Sequence, residues 1–347
     1  MKRADEGVGF LLRYENVAWY EDGAVRILDR RIYPLRTEYV TCTRHQEVAQ
    51  AIADMVTQSG GPYLAAAMGM ALAAYEVRDL PEAELLAHLE QAAYTLSHAR
   101  PTTAAKMARI TERALKAAKA ALEAGRSGLE LVEALRENAV NQINENYIRY
   151  TVIGKLLADR IPRNGTIMTQ CFAETVIGTM LRECRERGSA VKVICPETRP
   201  YFQGARLTAS VACDMGFDVT VISDNMPGYI LREKQVDLFT SAADVITLDG
   251  HIVNKVGTFQ IALAAHYWGI PYFVTGSPNP SHPNVRSVVI EERDPRLVLE
   301  AMGVPTAMEG VKGCYPAFDI TPPKLCDGVI TEKGIFSPFD LNRYFEA

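Results

Sequence analysis

The pattern of hydrophobic and polar positions changes character along the chain. Residues 9–41 carry short apolar runs, and the Asp-Gly pair in VAWYEDGAVRIL predicts a hairpin. Residues 45–159 follow a helical period in Ala-rich segments, with Pro81 and Pro101 at predicted helix starts and Gly125 at a predicted stop. The last helical segment, GLELVEALRENAVNQINENYIRYTVIGKLLADRI, predicts one long helix that links two domains.

After Pro162, short apolar runs alternate with helical stretches. The runs are GTIMTQC, AVKVIC, FDVTVIS, ADVITL and PYFVTG. Such alternation predicts a parallel sheet wrapped by helices. The sequence therefore predicts an α/β protein. A smaller N-terminal domain of strands and helices, residues 1–125, precedes the linking helix and a doubly wound, Rossmann-like catalytic domain, residues 126–347.

Composition narrows the classes of function. The 347 residues are 48% hydrophobic and 23% charged, which is typical of globular proteins, and the formal net charge of −5 disfavours nucleic-acid binding. No apolar run of about eighteen residues predicts a membrane span, and the N-terminus lacks the apolar core of a signal peptide. The seven cysteines form no C-x-x-C pair and no zinc-ligand spacing, so we expect reduced thiols and a cytoplasmic protein.

Two acidic positions and one cysteine are candidates for acid–base chemistry. Cys171 lies where the run GTIMTQ gives way to a predicted helix. A helix N-terminus can stabilise a thiolate, although a lone cysteine is more often a buried structural residue. The run ADVITL ends at the carboxyl edge of the predicted sheet, where ligands of such sheets bind, and brings either Asp244 or Asp249 to that edge.

Three further stretches could bind an anion. PETRPYFQGARLTA places Gln203 between Arg199 and Arg206 ahead of a helix, although solvated arginines at an ordinary turn explain this pattern equally well. DGHIVNKVGT places Lys255 beside another helix start, without a Walker or dinucleotide motif. SHARPTTAAK places Arg100 ahead of a helix, where capping is the simpler role.

Taken in order, these stretches resemble the 5-methylthioribose-1-phosphate isomerases. Relatives of that family include the ribose-1,5-bisphosphate isomerases, the 5-deoxyribose-1-phosphate isomerases and the regulatory subunits of translation initiation factor two-B. The resemblance covers nearly the whole chain and implies a homodimer that acts on a phosphorylated pentose. The stretches that carry it are WYEDGAVRILDRRIYP, ARPT, GTIMTQC, ETRPYFQGARLT, AAD, DGHIVNKVGT and YPAFDITPPKLCDGVITEKG.

The resemblance implies roles for individual residues. The catalytic cysteine of the family falls on Cys171, and its catalytic aspartate falls on Asp244. The expected contacts to phosphate and sugar fall on Arg100, Gln203, Asn254 and Lys255. The regulatory subunits do not keep the Cys/Asp pair, so its presence favours an enzyme.

One stretch departs from the family pattern. Where these isomerases carry R-G-A-P-A-I-G, this chain has SGGPYLAAAMG, so the expected contacts at this turn are Ser59, Gly60 and Gly61. The family arginine, which normally helps to hold the sugar phosphate, is replaced by Ser59, and Tyr63 and Leu64 follow the proline. This replacement hints at a relative that uses another 5-substituent, and it leaves open whether that substituent is methylthio, hydrogen or a different group.

The chemistry of a ribose 1-phosphate dictates a mechanism. The phosphate blocks the anomeric oxygen, so the ring must open before C2 can lose its proton. We expect Asp244 to protonate the ring oxygen and Cys171 to move the C2 proton towards C1, without a metal or cofactor. An acidic Asp244 needs a raised pKa, which a dry apolar site would provide. The helix starts at Gln203 and Lys255 would hold the phosphate.

Two alternatives remain open for this chain. One is a non-catalytic sensor of sugar phosphates or nucleotides, of the initiation-factor type, and the Cys171/Asp244 pair argues against it. The other is a ribose-1,5-bisphosphate isomerase, which needs a second cationic site for the 5-phosphate. The replacement of the family arginine by Ser59 argues against that substrate.

Overall fold

The computed structural model describes residues 3–100 and 104–346. The predicted helix start at Pro101, and with it Thr102 of the ARPT stretch, therefore lie outside the described residues. The chain forms two compact units, Met1–Ile148 and Arg149–Ala347. The predicted linking helix is present, and it contributes residues to both units.

The first unit combines a small antiparallel sheet with helices. Its strands and helices are β1 (Ala18–Glu21), β2 (Ala24–Leu28), β3 (Tyr39–Cys42), α1 (His45–Ala53), α2 (Gly61–Glu76), α3 (Glu82–His98), α4 (Ala104–Glu123) and the first part of α5 (Gly128–Ala158). The Asp22–Gly23 turn of the predicted hairpin joins β1 to β2, and both of its residues have positive φ. Helix α3 begins directly after Pro81, and Gly125, at a φ of 78°, follows the end of α4. Helix α2 is apolar around most of its circumference because it is buried in the core of this unit.

The second unit alternates strands and helices, as the sequence predicts. The run ADVITL is an exception, because the strand of the parallel sheet at this point is Leu238–Ala242, and Val245–Ile246 pairs in a second, antiparallel sheet of this unit. Its strands are β4 (Thr166–Gln170), β5 (Lys192–Pro196), β6 (Asp218–Ile222), β7 (Leu238–Ala242), β8 (Val245–Ile246), β9 (Ile252–Lys255), β10 (Tyr272–Thr275), β11 (Glu300–Ala301), β12 (Val304–Pro305), β13 (Phe318–Thr321), β14 (Gly328–Thr331) and β15 (Gly334–Phe336). Its helices are α6 (Thr175–Glu186), α7 (Ala209–Asp214), α8 (Pro227–Glu233), α9 (Thr258–Trp268) and α10 (Arg343–Glu346). Buried side chains of the central strands, such as Met168, Phe239 and Val274, form the core of this unit.

The order of the strands confirms the doubly wound prediction. In the described part of the chain, the main sheet has the order β15-β14-β10-β7-β4-β5-β6, and only β15 runs antiparallel to its neighbour. The chain runs outward from β4 to β6, returns to β7 on the other side of β4, and continues outward to β14. The reversal between β4 and β7 creates a topological switch point, where open α/β sheets bind ligands at the carboxyl ends of their strands.

The length and the apolar character of the helices were compared with those of a membrane-spanning helix. Among the described residues, none of them combines the length and the apolar character that a membrane span requires.

Candidate active site

Cys171 and Asp244 lie together at the switch point. Strands β4 and β7 are parallel neighbours, with Gln170 opposite Ser241. Cys171 directly follows Gln170, and Asp244 follows the end of β7, where its backbone N–H donates to the carbonyl oxygen of Val253 at 2.9 Å. The two side chains are close enough for the Asp244 charge to act on the Cys171 thiol. The structure thus brings the predicted pair to one edge of the sheet.

The carboxylate of Asp249, the alternative to Asp244, is already hydrogen-bonded to neighbouring residues. Its carboxylate accepts hydrogen bonds from the Thr247 hydroxyl and from the backbone N–H of Val285 at 3.1 Å, and it contacts His251 Nδ1 at 3.1 Å. Burial alone would raise the pKa of Asp249, but these hydrogen bonds hold that pKa below its usual value. Asp244 is therefore the better candidate for proton transfer.

The Cys171 thiol is protonated at neutral pH. The residue keeps some exposed surface, but the thiol lies deep enough for burial to be the largest influence, and burial raises its pKa to about 11. Lys255 and Arg293 oppose this shift, whereas Asp244 adds to it. Of the two interpretations left open for Cys171, a thiolate stabilised by the following helix is therefore not supported. Helix α6 begins only at Thr175, and burial outweighs the nearby cations.

Asp244 also differs from its expected surroundings. A general acid in a dry apolar site was expected here, but Asp244 is exposed, on the short link between β7 and β8. The chain places the carboxylate at the end of β7 rather than inside the sheet, because β7 has already ended at Ala242.

The loops after β4 and β5 hold unusual backbone conformations. Cys171, Glu174, Thr198 and Phe202 all have positive φ, at 59°, 49°, 64° and 54°. Positive φ is costly for residues with a β-carbon, and most of all for a β-branched threonine. The Asp224 carboxylate accepts from the backbone N–H groups of Thr198 and Arg199 at 2.8 and 2.7 Å and fixes one of these loops. Such strain is typical of ligand sites, where the surrounding structure imposes it.

Lys255 and Asn254 lie on β9, in a second small sheet of order β13-β9-β8. Both side chains are buried. The Lys255 ammonium donates to the Tyr315 hydroxyl at 3.4 Å and lies 5.1 Å from the centre of the Phe318 ring. Burial lowers the pKa of Lys255, and the negative charges of Cys171, when it is a thiolate, and of Asp244 oppose this shift. A buried ammonium in such surroundings is suited to binding an anion.

The helix start after Lys255 does not offer the expected phosphate site. Asp319, opposite Asn254 on β13, accepts hydrogen bonds from the backbone N–H groups of Gly257 at 2.7 Å and Phe259 at 3.1 Å. Burial raises the pKa of Asp319 to about 6, although these hydrogen bonds lower it. Because this carboxylate already occupies the start of α9, phosphate binding at these donors is not available.

Gln203 begins the helical segment that leads into α7. Its side chain is buried, and its Oε1 makes no hydrogen bond with any described residue. A π-helical turn, Gly204–Thr208, follows, and the Thr208 hydroxyl donates to the Cys171 carbonyl oxygen. A β-carbon on Gly204 would lie 1.8 Å from the carbonyl oxygen of Pro196, so only glycine fits this close approach.

The two arginines that flank Gln203 bind the protein itself. Arg199 Nη2 donates to the carbonyl oxygen of Glu300 at 2.5 Å. Arg206 donates through Nε and Nη2 to the carbonyl oxygen of Tyr201 at 3.0 and 2.5 Å. These arginines hold loops in place, so the predicted bidentate contact to phosphate is not supported for them.

The remaining predicted contacts belong to the first unit. Ser59, at a φ of 59°, and Gly60 precede α2, which begins at Gly61. The Gln58 carbonyl oxygen in this turn accepts from the Gly61 N–H at 3.1 Å and from the buried Arg30 Nη1 at 2.7 Å. Arg100 follows the end of α3 and is partly buried.

One group in the first unit has the composition of a metal site. The Glu76 carboxylate contacts His45 Nδ1 at 2.9 Å and His88 Nε2 at 3.1 Å, and it accepts from the His45 backbone N–H at 2.5 Å. Burial alone would raise the pKa of Glu76, but hydrogen bonds with His45 lower it. These hydrogen bonds explain the group without an ion, and they anchor the start of α1.

Comparison with known proteins decides the family. Residues 58–338 match the model of the initiation factor 2 subunit family. A relative from Chloroflexus aurantiacus named methylthioribose-1-phosphate isomerase is 37% identical over 332 residues, which cover 92% of this chain and 94% of the relative. The chain belongs to the initiation factor 2 subunit family. The predicted family resemblance is thereby confirmed.

Two solved structures, one named as an isomerase and one as an initiation-factor subunit, resemble this chain. The 5-methylthioribose 1-phosphate isomerase from Pyrococcus horikoshii OT3 superposes with a TM-score of 0.84 at 28% identity, covering 96% of this chain and 98% of that chain. The translation initiation factor eIF-2B subunit delta from A. fulgidus gives a TM-score of 0.80 at 31% identity, covering 93% and 96%. The family fold therefore does not by itself distinguish an enzyme from a regulatory subunit.

Sequence reasoning missed a cation in this family member's site. Arg293 acts electrostatically on both Cys171 and Lys255. Its stretch, EERDPR, has the composition of a solvated charged loop, so composition provided no signal. Tyr315 lies in a stretch that carries the family resemblance, YPAFDITPPKLCDGVITEKG, but no role was predicted for it.

Proposed function

We propose that this chain is an aldose–ketose isomerase that converts a 5-modified ribose 1-phosphate into the corresponding ribulose 1-phosphate. The observation that carries the proposal is the juxtaposition of Cys171 and Asp244 at the switch point of the parallel sheet. Two groups that exchange protons are the minimum for opening the sugar ring and moving a proton from C2 to C1. The isomerase named among the relatives, at 37% identity, supports this reaction class.

The protonation of the pair suggests how it starts the reaction. The thiol carries its proton at neutral pH, because burial raises its pKa to about 11. Transfer of that proton from Cys171 to the Asp244 carboxylate creates a thiolate base and a carboxylic acid in one step. Neutralising Asp244 also removes the negative charge that opposes the thiolate, while Lys255 and Arg293 continue to stabilise it. No electron leaves the substrate, so the proton route needs neither a redox cofactor nor a metal.

The reaction then follows from these two protonation states. Protonated Asp244 gives its proton to the ring oxygen, and the ring opens with the phosphate retained. The Cys171 thiolate removes the proton from C2, which yields an enediol-like species. The thiol then delivers a proton to C1, while the Asp244 carboxylate accepts the proton of the C2 hydroxyl and leaves a ketone at C2. Lys255, Asn254 and Gln203 hold the phosphate and the sugar in this proposal.

The proposed substrate is 5-methylthioribose 1-phosphate or 5-deoxyribose 1-phosphate. Ser59 replaces an arginine of the family pattern, so a second phosphate at C5 lacks the cation that would neutralise it. The isomerase name of the Chloroflexus relative favours the methylthio compound. A cytoplasmic homodimer completes the proposal, and the free state of all seven cysteines supports a reducing location.

A regulatory protein of the initiation-factor type is the second candidate, favoured by the similarity to the A. fulgidus subunit. Turnover separates the two. The purified chain is incubated with 5-methylthioribose 1-phosphate, 5-deoxyribose 1-phosphate and ribose 1,5-bisphosphate at equal concentration, and the ketose product is followed by NMR. We expect turnover of one of the first two. Binding of all three without turnover would instead identify a sensor, and a clear preference for the bisphosphate would overturn the substrate assignment.

A further inference from the structure

We propose that Arg293 is a further substrate-binding residue, which binds the phosphate group of the sugar phosphate together with Lys255. This proposal deepens the proposed function and rests on it. It concerns a residue outside every stretch from which the substrate contacts were predicted.

The position of Arg293 is fixed before any ligand arrives. Its Nε and Nη2 form a two-point ion pair with the Glu291 carboxylate, at 2.8 and 3.3 Å, and Nη1 takes no part in this pair. Its backbone N–H donates to the Tyr315 carbonyl oxygen at 3.0 Å. Only 11% of the Arg293 side chain is exposed. A nearly buried guanidinium held in this way loses little further entropy on binding a ligand.

Arg293 and Lys255 share an aromatic wall. The Arg293 guanidinium carbon lies 5.5 Å from the centre of the Phe318 ring, and Lys255 Nζ lies 5.1 Å from the same ring. Two tyrosines complete the wall. The centre of the Tyr315 ring lies 5.8 Å from Lys255 Nζ, and the centre of the Tyr201 ring lies 6.0 Å from the Arg293 guanidinium carbon. The fold therefore brings two cations to one patch that is largely screened from water.

Two neighbouring cations in such a patch point to an anionic ligand. Among the described residues, no carboxylate lies within salt-bridge distance of Lys255. Burial lowers the pKa of this lysine most and Arg293 lowers it further, whereas the charges of Cys171, Asp244 and Glu291 act in the opposite direction. Like charges in poor solvent repel unless an anion lies between them. A phosphate dianion satisfies both, and it does so beside Cys171, where the sugar must lie for proton transfer at C2.

The alternative is that Arg293 only fixes the loop through Glu291. The two roles, phosphate binding and fixing of the loop, are distinguished with inorganic phosphate as the probe. Its affinity is measured from competitive inhibition of turnover and by titration calorimetry in the absence of the sugar. The variants are Arg293→Gln, Arg293→Lys and Glu291→Gln. The matched control is Arg296→Gln, because Arg296 lies on the same loop, pairs with Asp294, and is 85% exposed.

We expect Arg293→Gln to raise the KM for the sugar phosphate and the Kd for inorganic phosphate by about 10-fold or more each, as for loss of a charged hydrogen bond. We expect a smaller change in kcat, a partial rescue by Arg293→Lys, and values within about twofold of the wild type for the Arg296→Gln control. A KM and a phosphate Kd that stay within about twofold in Arg293→Gln would overturn the inference, as would a wild-type chain that binds no phosphate. Thermal melting of each variant identifies any loss of folding, and Arg293→Lys then carries the test. Wild-type phosphate binding that depends on Arg293, without any turnover, would instead refute the proposed isomerase and leave this binding site in place.

Discussion

The hydroxyl of Thr208 donates a hydrogen bond to the backbone carbonyl oxygen of Cys171. This contact joins the π-helical turn after Gln203 to the end of β4, and both residues belong to the second unit. The backbone of Cys171 is thus held in place by an element that also presents a predicted substrate contact.

Replacing Thr208 by valine should loosen the thiol without changing the volume of the side chain. The Cys171 carbonyl would lose a buried hydrogen bond, which costs about 1–3 kcal/mol of unfolding free energy. We expect kcat to fall while KM changes less, because the thiol moves and the phosphate contacts do not. Thr208→Ser keeps the hydroxyl and is the control. Equal activity of the valine and serine variants would show that the contact has no role in placing the thiol.

The acid–base pair makes a second prediction. Cys171→Ser and Asp244→Asn should each lower turnover at least about 100-fold, since each removes one proton-transferring group. Substrate binding, measured by calorimetry, should be largely kept. Asp249→Asn is the control, because Asp249 serves its own turn, and it should cost less. A fully active Cys171→Ser enzyme would remove the thiol from the mechanism.

Isotope labelling tests the proton route itself. In deuterated water, the proposed transfer through Cys171 should place deuterium at C1 of the ketose, to an extent set by exchange of the thiol with solvent. Mass spectrometry and NMR of the product measure this incorporation. Complete retention of the original hydrogen, at pH values where the thiol exchanges freely with solvent, would favour a direct hydride shift from C2 to C1.

Alkylation gives a direct measure of the buried thiol. The thiolate is the reactive form, and burial raises the pKa of Cys171 to about 11, so its reaction with iodoacetamide should be slow at pH 8 and accelerate up to about pH 11. Exposed Cys213 is the internal reference and should react first at pH 8. Peptide mapping by mass spectrometry separates the two sites. Faster labelling of Cys171 than of Cys213 at pH 8 would show that the cations outweigh burial.

Four strands of the parallel sheet, β4, β5, β6 and β10, could be predicted because a parallel sheet covered on both faces produces continuous apolar runs. Their order could not, because the return of β7 to the far side of β4 depends on packing across the whole unit. The choice of Asp244 as the partner of Cys171 was therefore predicted from the family resemblance, because the hydrophobic pattern left Asp244 and Asp249 equally possible.

Two parts of the predicted anion sites were wrong for a related reason, namely the start of α9 and the flanking arginines. The start of α9 looked open because its acceptor, Asp319, lies on a distant strand, and the acceptor of Arg199 is the remote carbonyl of Glu300. A pattern of neighbouring residues does not show which donors the fold has already used. Arg293 was not predicted as a binding residue, because its stretch is highly charged and such stretches are usually exposed, whereas the fold buries this guanidinium.

Asp319 provides a test of the electrostatics by stability alone. Burial raises its pKa from 3.8 to about 6 in the folded chain. The folded state therefore binds more protons than the unfolded state between about pH 4 and pH 6, and stability should fall as pH rises through this window. The loss attributable to Asp319 is on the order of 2–3 kcal/mol.

Asp319→Asn should remove this pH dependence, because the amide has no charge to bury and its oxygen can still accept from the N–H groups of Gly257 and Phe259. Asp319→Ala leaves both donors without their acceptor and should destabilise the chain at every pH, by about 1–2 kcal/mol, as for loss of a helix cap. Urea unfolding at pH 4, 5, 6 and 7 measures the three proteins. If wild type and Asp319→Asn change in parallel over this range, Asp319 ionises normally and burial does not control its charge.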